Sequence, residues 1–357
     1  MKKKFVFVFI ILLSFSVIAY GDSKNGWEEP LDRADLVLFS SHADDEHLFF
    51  AGVLPYCAAN GIKAQVVYMY NHDGNPVRND ERLSGLFAVG INNMPVIGPF
   101  PDLYSETLEG ALKVYGNLGF TEEQFVNFYV ENLRRFKPLV AVGHDIKGEY
   151  GHGGHILCAR ALIKAVELAA DPDHHHESAL KYGVWDTPKT YLHLFGERKI
   201  TIKIDEPLEF FDGKTAFQVS QYGFSFHKSQ HWTYFNAWLN GTAGAPITSS
   251  AGIKSHNPAL YGLFRTTVGD DAAGAFDFFQ NVTLIKDIAE EPEEPDEPDE
   301  PDEPEIEEII IDSQKPGTID EQGESNNHTP ALSAVILSVT GAALILFLLI
   351  IMMRRKK

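Results

Sequence analysis

The stretch Leu36-Val-Leu-Phe-Ser40, continuing as Ser41-His42-Ala43-Asp44-Asp45-Glu46, decides how this chain is read. Five mostly apolar residues make a run of strand length. A polar segment follows at once, and an apolar helical pattern runs from Leu48 to Ala59. Strand, polar loop and helix in that order open an α/β unit. The alternation continues outward. Lys63–Tyr70 reads as a strand, Asn79–Val89 and Glu122–Phe136 as helices, Leu139–Val142 as a short buried strand and Ile156–Ala169 as a helix. The expected fold is α/β, Rossmann-like, with a largely parallel sheet covered by helices on both faces over residues 33–286.

In such sheets ligands gather at the carboxyl ends of strands. Two polar clusters fall there. One is Ser41–Glu46. The other is Gly148-Glu149-Tyr150-Gly151-His152-Gly153-Gly154-His155, which opens a helix after the 139–142 strand. Together they supply imidazoles, carboxylates and a phenol. Two His and a carboxylate are a usual ligand set for catalytic zinc, with one position left for water, and a neighbouring carboxylate then serves as base. A single Asp before a helix is ordinarily a cap. An Asp-Asp pair beside His, matched by a Gly-rich His-x-x-His, asks for more than that.

At these residues the chain resembles the PIG-L/LmbE-like family of zinc-dependent N-acetylglucosaminyl deacetylases. The family's His-Pro-Asp-Asp-Glu motif stands here as His42-Ala43-Asp44-Asp45-Glu46, and its Gly-x-x-Gly-His-x-x-His as Gly148–His155. Arg78-x-x-Glu81 running to Val89-Gly90, Pro101-Asp102 and His227-Lys228-Ser229-Gln230 are similar to further family features. The resemblance implies Zn2+ held by His42, Asp45 and His155, with Asp44 as general base. It implies that His152 stabilises the oxyanion or protonates the leaving amine, that Tyr150 helps polarise the carbonyl, and that Arg78 and Asp102 bind substrate. Two positions depart from the pattern. Ala43 replaces the usual Pro, which is expected only to loosen the turn. Gly154 stands where many members carry an Asp that orients the equivalent of His152, and Asp145 is a candidate replacement.

Outside this body the ends of the chain carry their own signals. Lys2–Lys4, the short apolar run Phe5–Ile18 and the small residues near Gly21 read as a signal peptide over 1–21, with an uncleaved anchor as the alternative. Residues 331–353 are uncharged and long enough for a transmembrane helix, and Arg354–Lys357 form a basic tail expected in the cytoplasm. Between them, residues 288–330 form an acidic, Pro-rich linker expected to be a disordered stalk. These features imply a cell-membrane, single-pass protein with its catalytic domain extracellular. The net charge of −20 is concentrated in the linker, where residues 288–312 hold 14 acidic side chains and no Lys or Arg. Acidity of both parts argues against a nucleic-acid partner.

Several features carry two readings. Cys57 and Cys158 either pair in an oxidising compartment or remain buried free thiols. Asn240, Asn281 and Asn327 begin glycosylation sequons. Asp173-His174-His175-His176-Glu177 reads as a polar loop rather than a metal site. Trp185, Tyr191 and His193 are sugar contacts or core, His72-Asp73-Gly74 lines the pocket or makes a turn, and His227 contacts substrate or packs. The function expected is deacetylation of an N-acetylated glycan outside the cytoplasm. An amidase acting on another amide and an inactive surface glycan-binding protein are the alternatives.

Overall fold

The computed structural model describes residues 26–288. The signal-like residues 1–21, the linker beyond Ile288, the apolar segment 331–353 and the basic tail 354–357 lie outside them. Among the described residues no helix is long and apolar enough to cross a membrane.

Strand β1 (Leu36–Ser40) is buried at every residue. It pairs in parallel with β2 (Ala64–Tyr70), which pairs in parallel with β3 (Val96–Phe100). On its other flank β1 pairs in parallel with β4 (Val140–Gly143), and β4 with β5 (Lys189–His193). Beyond β5 the sheet turns antiparallel. After β6 (Lys199–Thr201) and a separate small hairpin of β7 (Gly241–Thr242) and β8 (Ala245–Pro246), strand β9 (Leu260–Thr266) inserts between β5 and β6 and runs against both. The order is β3-β2-β1-β4-β5-β9-β6. The chain leaves β1 toward β2 and β3, then returns to the opposite flank at β4. The crevice at the carboxyl ends of β1 and β4 is therefore where the strand order reverses, the usual ligand position in such sheets.

The helices are α1 (Val53–Ala59), α2 (Pro76–Ala88), α3 (Leu108–Gly116), α4 (Glu122–Phe136), α5 (Gly153–Leu168), α6 (His176–Tyr182), α7 (Ala216–Phe224) and α8 (Thr233–Asn240). They cover both faces because strand side chains alternate. Leu36, Leu38, Val66 and Val142 share one core with Leu54 of α1 and Phe217 of α7. Val37, Phe39, Val67 and Ala141 share the other with Phe125 and Leu133 of α4 and Leu162 of α5. Each of the Val, Leu and Phe side chains contributes roughly 1.5–3 kcal/mol on burial.

The expected helix over 48–59 starts later than its apolar pattern. Residues 41–52 run as consecutive bends and turns, and only Val53–Ala59 is helical. Gly52 causes the break. Its φ is +90°, and a Cβ there would lie 2.5 Å from Ile204. The apolar spacing from Leu48 records packing beneath a turn, not helical periodicity. The 79–89 helix begins earlier than expected, at Pro76, because Asn75 caps it by accepting the Val77 N–H at 3.0 Å.

Both cysteines are free and buried, Cys57 in α1 and Cys158 in α5. Of the candidate sugar contacts after residue 184, Tyr191 and His193 are buried in the core, and Trp185 is half-buried. Tyr191 is buried and donates its hydroxyl to Asp271 at 2.6 Å, His193 is fully buried, and the Trp185 indole donates to the Pro138 carbonyl at 2.8 Å. The histidine-rich loop at 173–177 is organised from its backbone. Arg134, fully buried, donates to the carbonyls of His174 and His175.

Candidate metal centre

The loop after β1 and the start of α5 meet at the strand-order reversal. His42 Nδ1 lies 3.2 Å from Asp45 Oδ2 and 3.2 Å from His155 Nε2, and His155 Nε2 lies 3.4 Å from Asp45 Oδ2. Donors about 2.0–2.1 Å from a tetrahedral zinc ion stand roughly 3.3–3.4 Å apart, so this triangle matches one face of such a site.

The tautomers support the same conclusion. His155 Nδ1 lies 2.7 Å from the Glu149 carboxylate and His42 Nε2 lies 3.2 Å from Asp102 Oδ1. Those nitrogens carry the ring protons, since a carboxylate only accepts. The lone pairs of His42 Nδ1 and His155 Nε2 are then left facing a carboxylate oxygen and each other. Three acceptors in a buried triangle call for a cation. Without an ion, burial acts to lower the His42 pKa, but Asp102 and Asp45 outweigh it and lift it to about 10, so that a second proton, on Nδ1, supplies the positive charge that a bound cation would bring in its place. Two imidazoles and a carboxylate suit zinc or a similar divalent ion.

Glu149 organises this centre, and no reading of the sequence assigned it a part. It is fully buried, its carboxyl held far below the usual range by neighbouring imidazoles despite its burial. It accepts from His144 at 2.9 Å, His155 at 2.7 Å and His193 at 2.7 Å. His144, also unassigned by sequence, is 3.7 Å from Asp45, but its Nε2 already accepts the Ser41 N–H at 2.9 Å. It therefore braces the β1 loop rather than offering a free lone pair. The strand-end rule applied one residue beyond β4 would have pointed to His144.

Asp102 holds ligand geometry. Its two oxygens take His42 Nε2 at 3.2 Å and His72 Nδ1 at 2.9 Å. His72 Nε2 in turn accepts the Ala43 N–H at 2.9 Å. The replacement of the motif's Pro therefore does not merely loosen the turn. Proline has no N–H, whereas Ala43 supplies the donor that begins a chain through His72 and Asp102 to His42.

Asp44 adopts φ +149°, a strained conformation for a residue with a side chain. Its N–H donates to Glu46 Oε2 at 2.8 Å, and Arg78 lies 3.5 Å from its carboxylate while donating to the Ala43 carbonyl at 2.5 Å. Burial raises the Asp44 pKa, and although Arg78 pulls it down, it settles at about 7. That is the range a general base needs near neutrality.

His152 caps α5, its Nδ1 accepting the Gly154 N–H at 3.0 Å. Nε2 therefore carries the ring proton. Burial, with His155 and His42 nearby, lowers the pKa to about 3, so the ring is neutral. Asp145 does not orient it; its Oδ1 accepts the Lys147 N–H at 3.1 Å instead. A Cβ at position 154 would lie 2.9 Å from His152 Cε1 and 3.1 Å from the Tyr70 hydroxyl. Here glycine is what lets the imidazole sit where it does.

These groups open into a cavity of about 780 Å³. His42, Asp44, Asp45, Arg78, Asp102, Tyr150 and His152 all line it, while His155 is fully buried beside it. Four aromatic side chains complete the lining, Tyr104, Trp232, Tyr234 and Phe235. His227 is buried away from that lining.

Residues 37–166 match the family model described as PIG-L: GlcNAc-PI de-N-acetylase. This segment is similar to that family. Among curated relatives, a 1D-myo-inositol 2-acetamido-2-deoxy-alpha-D-glucopyranoside deacetylase from Thermomonospora curvata is 40% identical over 73 residues, covering 20% of this chain and 25% of its own. One of the same name from Streptomyces scabiei is 25% identical over 187 residues, covering 46% of this chain and 57% of its own. The chain thus spans less than two thirds of the length of these relatives. An N,N'-diacetylchitobiose deacetylase from Pyrococcus horikoshii superimposes with a TM-score of 0.44 at 16% identity, over 66% of this chain and 85% of that one.

Proposed function

We propose that this chain is a metal-dependent amide hydrolase that removes acetyl from an N-acetylated, GlcNAc-type sugar. The observation that carries the reading is the donor triangle of His42, Asp45 and His155 beside Asp44, a carboxyl poised at about 7, in one aromatic-walled cavity. The names of the curated relatives support the acetamido sugar as substrate.

His42, Asp45 and His155 would hold a divalent ion, which would supply Lewis acidity at the scissile amide. The remaining work falls to this chain's side chains. Asp44 takes the proton of the attacking water, and Arg78 keeps its carboxylate in place. The neutral His152 presents its Nε2–H to the developing oxyanion, a fixed donor where charge accumulates. Tyr150, with burial raising its pKa well above the usual range, stays protonated and offers a second donor. The proton held on Asp44 then passes to the leaving amine, giving acetate and a free amino sugar. Tyr104 and Trp232 offer flat apolar faces to a sugar ring.

The test is acetate release by the zinc-loaded chain from N-acetylglucosamine compounds and from non-sugar amides. Turnover confined to the non-sugar amides would replace the deacetylase with a different amidase. We also propose that the site works outside the cytoplasm, supported by the signal-like residues 1–21 and the apolar segment 331–353 with its basic tail. Protease accessibility of the domain on intact cells tests this.

A further inference from the structure

A second group of ionisable side chains stands apart from the cavity lining. Glu46 and His47 come from the turns after β1, and His227 follows α7. All three are fully buried. Glu46 Oε1 is 3.5 Å from His47 Nε2 and 3.5 Å from His227 Nε2. Neither imidazole makes a hydrogen bond through either nitrogen, and Glu46 Oε1 makes none. An unpartnered buried polar atom costs about 1–3 kcal/mol, and five in one place are exceptional in a native fold.

Gly85 adds a second, independent observation. It lies inside α2, where glycine is destabilising by roughly 0.5–1 kcal/mol relative to alanine. A Cβ there would fall 2.6 Å from His47 Nε2 and 2.7 Å from His227 Nε2. The absent side chain leaves open the space toward which both nitrogens converge.

We propose that Glu46, His47 and His227 form a second binding site, for a divalent transition-metal ion of the zinc class, in the space that Gly85 leaves open. Glu46 Oε1 has lone pairs for two ring N–H donors, but 3.5 Å to each Nε2 is longer than a normal N–H···O bond. An ion would engage all three converging atoms at once, and the 3.5 Å from Glu46 Oε1 to each Nε2 suits ligands of one tetrahedral centre. The three atoms lie within 4.8 Å of one another.

The placement gives this ion a structural role. Glu46 Oε2 receives the Asp44 N–H, so the site grips the strained backbone of the proposed base. His227 begins the segment whose Ser229 donates its N–H to Glu81 of α2 at 2.7 Å, and whose Gln230 and Trp232 line the cavity. One ion would tie the β1 loop, α2 and the cavity wall together.

The experiment counts metal on the purified full chain after saturation with Zn2+ and desalting. Two equivalents per chain are expected, falling to one in His155→Ala, in His227→Ala and in Gly85→Ala. The last variant retains every donor and places a better helix former in α2, so its loss of an ion cannot be ascribed to lost helix propensity. Two equivalents persisting in His227→Ala and Gly85→Ala would overturn the proposal. So would a wild-type count of one that vanishes in His155→Ala, or a count of zero. A single wild-type equivalent that survives in His155→Ala and disappears in His227→Ala would uphold this site while refuting the first. These counts need no activity, and they stand for the wild-type chain even if a variant fails to fold.

Discussion

Replacing Asp44 with Asn should stabilise this protein while abolishing turnover, and the stabilisation should depend on pH. Asp44 is buried at φ +149° and its carboxyl is raised by burial from the ordinary 3.8 to about 7, against the pull of Arg78. A carboxyl raised in the folded state contributes its full stability only below about 4, and that contribution is lost as pH rises toward 7. Each pH unit across that window costs about 1.4 kcal/mol. The wild type therefore carries a penalty of about 2 kcal/mol at pH 5 and about 4 kcal/mol at pH 8. Asn has nearly the same shape, bears no ionisable group and tolerates positive φ better than most residues. The assay is urea unfolding of both proteins from pH 5 to pH 8, with a chelator present so that no divalent ion adds its own charge. The advantage of Asp44→Asn should grow with pH up to about 7 and then level. A difference independent of pH, or a wild type that is the more stable at pH 8, would refute the account of Asp44 as a strained, desolvated base. Loss of bound zinc from Asp44→Asn would instead reverse the roles given to the two aspartates.

Three further substitutions probe other links. Glu149→Gln removes the charge that three imidazoles share, and should cost about 3–5 kcal/mol in denaturant unfolding and weaken zinc about 10–100-fold in chelator competition. Gly154→Ala puts a Cβ 2.9 Å from the His152 ring; a displaced oxyanion donor should lower kcat by roughly 10²–10³ while zinc content is unchanged. Trp232→Ala removes a 62% exposed cavity-wall ring, so KM should rise about tenfold, or about 1.4 kcal/mol, with stability unchanged within roughly 0.5 kcal/mol.

The order of strands and helices is local information. The run Leu36–Ser40 could be read as a buried strand because each of its residues is apolar or small, and the polar cluster after it as a strand-end loop. Leu48–Ala59 misled because an apolar spacing looks alike whether it lines a helix or packs beneath a turn, and Gly52 decided between them only through its contact with Ile204. Tyr191 and His193 could be read as sugar contacts or as core because aromatic residues suit both a core and a binding wall. Their burial follows from β9 pairing on β5, a contact between segments about 70 residues apart.

What the sequence determined by itself was a set of polar side chains, His42, Asp44, Asp45 and His155, at spacings a strand-end loop and a helix start can present. It could not determine their charge states or partners, because those depend on groups brought in from other strands. Glu149 gathers His144, His155 and His193; Asp102 reaches His42 and His72. Electrostatic interactions fall with distance in space and are blind to separation along the chain. The pairing of β1 with β4 that brings residue 42 beside residue 155 is therefore what turned two short motifs into one candidate metal centre.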